Sequence, residues 1–369
     1  MGNRGKTSER QINLELLRIV SMFLIILLHS IDHSGVLQRA ENLGGKIYYI
    51  ELFLYALTQV SVNLFVMISG YFLVKSDFKM VKIIRLWLEV VFYSLTIRII
   101  FIVVGIKAFS TLSVISCFFP VVTGRYWFVT IYLGMYVISP FLNITIKALS
   151  KRQLASLNIT LFLLFSAWNT IVPEIKGMNA GAGWGLPWFI VLYFSAAWFR
   201  LYHVRSMKWT RNVVLWIMIG ALTALSVTFS NSGSIAQKVF MNWYRYDSVP
   251  VYLATILLFS AFLNMEIRAL TVQYHILWIA QTTFGVYLIH AHADISPWLW
   301  GNLQLPEKMN TLVFPIFQIG IVLTIFVISS MIDLLRRMTI GKIEEVEAIN
   351  LIARMIDSAR LCILASVSK

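Results

Sequence analysis

Long apolar runs, each close to 20 residues and repeated along most of the chain, limit this sequence more than any other feature. A hydrocarbon core about 30 Å thick is crossed by an α-helix of roughly 20 apolar residues. Inside it a backbone can satisfy its own polar groups only as a helix or a closed barrel. About ten such segments are predicted, near 12–31, 52–74, 82–104, 127–147, 153–172, 185–200, 212–230, 249–265, 274–295 and 312–335. The expected fold is therefore all-α and polytopic. Only 13% of residues are charged, against about 25% in an ordinary soluble domain, which excludes a conventional soluble enzyme. The first run is not expected to be a cleaved leader, because no small-residue site follows Leu28, and His29, Asp32 and His33 come next.

Orientation follows from the basic residues of the loops. Lys75, Lys79, Lys82 and Arg85, then Lys147, Lys151 and Arg152, then Arg200, Arg205, Lys208 and Arg211 fall in alternate loops on one side. That side holds about twice as many cations as the other, so both termini are expected in the cytoplasm. Anionic inner-leaflet lipid accounts for much of the +14 net charge, and no nucleic-acid partner is implied. Cys117 and Cys362 fall on opposite sides and are not expected to pair. The chain divides into a membrane-embedded region, 1–335, and a cytoplasmic tail, 336–369. In the tail Ile343, Val346, Ile349, Leu351, Ile352, Met355 and Ile356 fall roughly on one face, the pattern of a surface amphipathic helix. A solvated tail fits equally well.

The first segment carries most of the chemistry. It is apolar except for Glu15, Arg18, Ser21 and His29. Ten residues separate Arg18 from His29, just over three helical turns, so both lie on one face roughly 16 Å apart along the axis, with Glu15 near it. Intramembrane ionisable groups are functional candidates. Singly, His29 also fits an interfacial ring, Arg18 a snorkelling anchor, and Glu15 a partner for Arg18 at i,i+3. The shared face favours a site with a charged mouth and a titratable group at depth.

The stretch NLELLRIVSMFLIILLH resembles the opening of the acyltransferase-3 membrane family, which has an Arg and a His ten residues apart in its first span and an acid three before the Arg. VNLFVMISGYFL (62–73) is similar to the family's Phe-rich segment, RYWFVTIYLGMYVISPFLN (125–143) to its Trp-bearing span ending in Pro, and FGVYLIH (284–290) to its late Tyr-Leu-x-His span. The resemblance runs in order over residues 10–335. One departure is KSDFKMVKIIR, where the family often has a more arginine-rich inner loop. Lys82 and Arg85 there supply mostly point charges rather than bidentate contacts.

The resemblance implies transfer of an acyl group, most often acetyl, from cytoplasmic acyl-CoA to a hydroxyl of a cell-surface glycan or its lipid-linked precursor. The setting would be a bacterial cell membrane. It implies Arg18, Lys82 and Arg85 as the anionic donor's binding groups, and His29, supported by Arg18 and Glu15, as the catalytic centre. A sugar hydroxyl attacks only once its proton is removed, and imidazole suits that task near neutrality. Direct attack and a transient acyl-imidazole both remain open. Trp127, Tyr287 and His290 are candidates for acceptor binding, although belt aromatics occupy similar depths. Ser69 and Gly70 suit close helix packing. His33, His275 and His292 have no evident partner. His290 and His292 diverge at i,i+2 on a helix, so no metal is expected. An acyltransferase with a different acceptor, a small molecule or a peptidoglycan sugar, is one alternative, and the competing class is a proton-coupled transporter or flippase. Internal symmetry or broken helices would mark one, and neither is legible in the sequence.

Overall fold

In the computed structural model, the described residues are 11–172, 181–203, 208–227, 235–309, 311–339, 341 and 347–367. They are helical, with no strand among them. In chain order the helices are α1 (Ile12–Asp32), α2 (Val36–Leu43), α3 (Gly45–Thr58), α4 (Val60–Leu73), α5 (Met80–Val103), α6 (Thr111–Phe118), α7 (Trp127–Ala148), α8 (Lys151–Phe162), α9 (Trp168–Ile171) and α10 (Leu186–Tyr202). They continue as α11 (Trp209–Ser226), α12 (Ile235–Asn242), α13 (Val249–Asn264), α14 (Leu270–Ala280), α15 (Thr283–His290), α16 (Ile295–Leu303), α17 (Phe314–Thr339) and α18 (Glu347–Val367).

The apolar segments expected from the sequence fall largely on helix, and the end of the one near 212–230, residues 228–230, lies outside the described residues. Among the described residues seven stretches are long and apolar enough to cross a membrane: α1, Gly45–Leu73, α5, α7, Lys151–Ile171, α11 and α17. The apolar helices α10 and α13 are shorter. The segment expected near 274–295 is interrupted instead of continuous. Thr282 Oγ1 donates to the Ile279 carbonyl at 2.8 Å and lies 3.0 Å from Ser330 Oγ, from which it can accept, and Thr283 Oγ1 donates to the Ala280 carbonyl at 2.8 Å. Hydroxyls that occupy carbonyls of the preceding turn compete with the helical ladder. Arg337 at the far end of α17 donates to the Gln281 carbonyl at 3.3 Å and so ties the break down.

Helix α1 sits centrally, packed on α2, α3, α4, α13, α14, α15 and α17. Leu14, Leu17, Ser21, Ile26 and Ile31 are fully buried. Ser21 returns its hydroxyl to the Leu17 carbonyl at 2.7 Å, and Gln318 of α17 donates to Ser30 at 3.1 Å. Apolar surroundings demand such local satisfaction. Helix α4 meets α10 at Gly70, where a Cβ would stand 3.1 Å from the Ala196 Cβ and 3.3 Å from the Tyr193 Cα. The missing side chain permits that approach, as the small-residue pattern suggested.

Charged clusters lie inside the bundle, two of them on α5. Arg336 of α17 pairs with Glu89 of α5 at 2.7 Å and with Asp333 at 2.9 Å, while the Tyr93 hydroxyl donates to Asp333 at 2.7 Å. Arg98 of α5 pairs with Asp294 at 3.1 Å, just beyond α15. Buried charges persist only when paired in this way.

The tail folds back on α5. Asp357 of α18 accepts from the Met80 amide at 3.3 and 3.1 Å, capping the first turn of α5, and Arg85 donates to Asn350 at 3.2 Å. Leu351, Ile352, Met355 and Ile356 remain exposed. Ile343 and Val346, expected on the same apolar face, lie outside the described residues, as does the side chain of Cys362. Cys117 is a buried free cysteine.

Candidate active site

A cavity of about 380 Å³ opens at the C-terminal end of α1, within the range of small-ligand sites. Its α1 wall is Met22, Ile25, Leu28, His29 and Asp32. Met22, Ile25 and His29 follow Arg18 at steps of four, three and four, so the cavity runs down the face expected to join the two charged groups. It ends at Met22, one turn or roughly 6 Å from the Arg18 position.

His29 is the centre of a histidine stack. The His33 ring lies on it at 4.3 Å between centroids with an interplanar angle of 14°, and His290 of α15 stands behind it at 5.1 Å and 46°. His29 Nδ1 is buried without a hydrogen-bond partner. His290 is fully buried. Its Nδ1 lies 2.6 Å from the Val286 carbonyl; a carbonyl only accepts, so this nitrogen carries the proton. Nε2 of neutral His290 is therefore a lone-pair acceptor, and it too is buried and unpartnered. His33 is within 3.3 Å of Ser296 Oγ and 3.9 Å of Asp32. Burial holds its imidazole below the ordinary 6.5, against the pull of the Asp32 carboxylate.

Trp127 and Tyr287 line the cavity, as does Phe128. Tyr287 touches Tyr126 and Phe128 at 5.9 and 5.8 Å between ring centres. His290 supports His29 from behind and does not line the cavity.

The basic groups lie below. Arg18 Nε is 3.3 Å from Glu15, the partnership the i,i+3 spacing predicts. Tyr132 of α7 faces both Arg18 and Ser69. One turn on, Tyr136 lies under the Lys82 ammonium at 5.9 Å. One turn the other way, Phe128 stacks on Tyr132 at 6.1 Å. Phe128, Tyr132 and Tyr136 thus form an i,i+4 stripe on α7 that leads from the cavity past Arg18 to Lys82. Lys82 also donates to Ser76 at 3.1 Å, and Arg85 is turned toward the tail. Neither lines the cavity.

Residues that the sequence did not single out complete the far wall: Tyr55 and Gln59 at the α3–α4 junction, Trp184, and Tyr244, Arg245 and Tyr246 before α13. Burial pushes the Tyr244 and Tyr246 hydroxyls above their usual range, so both stay protonated at neutral pH. The i,i+4 spacing of His29 and His33 was the one available signal for the stack. Among the described residues no group of three or more His, Cys, Asp or Glu is placed to hold a metal ion.

Residues 11–332 match a family model described as an acyltransferase domain. No curated protein and no solved structure matches the chain.

Proposed function

Given that the chain belongs to the acyltransferase-3 family, we propose that it carries an acyl group, in the simplest case acetyl, from cytoplasmic acyl-CoA to a hydroxyl of a cell-surface polysaccharide or its lipid-linked precursor. The observation that carries this reading is the continuity of one α1 face, from Arg18 through Met22 and Ile25 to His29 at the cavity. The donor's phosphates bind at the basic end, with Arg18 held by Glu15 and with Lys82 across the α7 stripe. Arg85 joins them only if it leaves Asn350. The thioester arm follows the aromatic stripe toward His29.

His29 takes the proton of the acceptor hydroxyl, and the oxygen attacks the thioester carbonyl. The carbon–sulfur bond breaks, and the leaving thiolate receives the proton from the imidazolium. Acyl transfer through the His29 imidazole itself balances equally and is the alternative order. His290, its Nδ1 proton fixed on Val286, packs behind the His29 ring and positions it. In this reading the protein sits in the membrane of a bacterial cell with both termini in the cytoplasm, and the exposed apolar residues of α18 lie in the inner leaflet surface. A carrier is the second reading, favoured by the α14–α15 interruption.

The test supplies labelled acetyl-CoA to membranes containing the protein and follows label onto glycan. Loss of a positioned general base costs about 10²- to 10⁴-fold, so His29→Ala should reduce transfer by that factor. Undiminished transfer refutes the mechanism, and a carrier forms no labelled ester at all.

A further inference from the structure

The cavity wall opposite α1 is a built aromatic slab. The Trp184 ring stands 4.5 Å from Trp127 at 33° and 5.7 Å from Tyr246 at 29°. These near-parallel faces lie in the cavity that His29 lines. Trp184 packs on both rings and is still 49% exposed, so part of its surface is open to the cavity.

The surrounding backbone is shaped to hold the slab. Gly183 has φ +89°, and a Cβ there would stand 2.5 Å from the Tyr246 Cβ and 2.9 Å from the Asp247 amide. Only glycine lets the two loops touch. Ala182 beside it takes φ +57°, a conformation that costs a non-glycine residue energy and that the surroundings must impose. On the other side, fully buried Asp247 is gripped by Arg245 at 2.9 Å and by Asn169 at 3.1 Å, while Asn63 donates to the Tyr246 carbonyl at 2.8 Å. A tryptophan placed only to mark the membrane interface needs none of these supports.

We infer that Trp184, backed by Trp127 and the buried Tyr246, binds the acceptor by stacking on the apolar face of a sugar ring, and that this slab sets which hydroxyl meets His29. The inference rests on the acyl-transfer reading above. A pyranose has flat C–H faces that suit aromatic rings and an edge of hydroxyls. With the face seated on the slab, the hydroxyl edge is free to turn toward His29 and the half-exposed Asp32 carboxylate.

The probe is surface polysaccharide from the host cells, freed of esters by mild alkali, with labelled acetyl-CoA as donor. In membranes, Trp184→Ala should raise the half-saturating polysaccharide concentration about tenfold while the half-saturating donor concentration stays within twofold. Trp184→Phe should restore most of the loss, and Trp184→Leu, which keeps apolar bulk without a ring, should not. Unchanged acceptor saturation in Trp184→Ala, or full rescue by Leu, overturns the slab assignment and leaves the acyl-transfer reading standing. Absence of transfer by the wild-type protein overturns both.

Discussion

Gly285 lies on α15, five residues before His290. A Cβ added there would stand 2.7 Å from the Asp333 Cβ of α17 and closer still to its carboxyl group. Ordinary contact begins near 3.4 Å, so the helices must part by about 1.1 Å to clear the carboxyl group, or Asp333 must swing away. Asp333 is poorly placed to swing, because its carboxylate already accepts from Tyr93 at 2.7 Å and Arg336 at 2.9 Å. Gly285→Ala should therefore move α15, and His290 with it, by about an ångström. Overpacking of this kind costs about 1–3 kcal/mol of stability. A misplacement near 1 Å in catalytic geometry costs about 10²-fold in rate. The assay compares labelled acetyl transfer per mole of protein in membranes with the thermal unfolding midpoint in detergent. The control is Gly134→Ala, whose new methyl meets Leu186 at an ordinary 3.6 Å. A Gly285→Ala protein that is less stable but turns over at the wild-type rate would refute the claim that α15 positions His290 for catalysis.

Arg336→Leu strands Glu89 and Asp333 in the bundle, and removal of one partner from a buried charge cluster typically costs about 3–5 kcal/mol; an unshifted unfolding midpoint would contradict it. Because burial keeps the His33 pKa below 6.5 while Asp32 pulls it up, the His33 imidazole, followed by NMR in detergent, should titrate below pH 6.5. Asp32→Asn, which removes the group favouring the imidazolium, should move that titration to lower pH, and an upward move would reverse the sign of the argument. Arg18→Ala should raise the half-saturating acyl-CoA concentration or abolish transfer, and normal donor saturation would reduce Arg18 to an anchor. With the native cysteines removed, Arg39→Cys should react with an impermeant thiol reagent in intact cells and Lys208→Cys should not. The opposite pattern would invert the orientation.

What the sequence made legible lies within single helices. The apolar segments fall largely on helix because length and hydropathy are local properties. The common face of Glu15, Arg18 and His29 follows from helical periodicity alone, and Glu15 meets Arg18 as that periodicity requires. What stayed hidden depends on partners far along the chain. The interruption at Gln281 and Thr282 is set by Ser330 and Arg337, about fifty positions later. Trp184 reaches the cavity only because Gly183 abuts Tyr246. Arg85 has the charge expected of a phosphate ligand, yet it is engaged by Asn350 of the tail, a contact that no composition or spacing argument reveals. His33 was within reach of local reasoning, since it follows His29 by one turn. Its importance shows only when His290 arrives from α15 to complete the stack.

The Glu89–Arg336–Asp333 cluster also bears on biogenesis. Its acid on α5 is synthesised 247 positions before the arginine that neutralises it. During translation the bilayer must therefore tolerate a half-made polar seam until α17 inserts. The last of the helices apolar enough to cross the membrane then acts as a latch, and a product lacking it would leave that acid without the Arg336 cation.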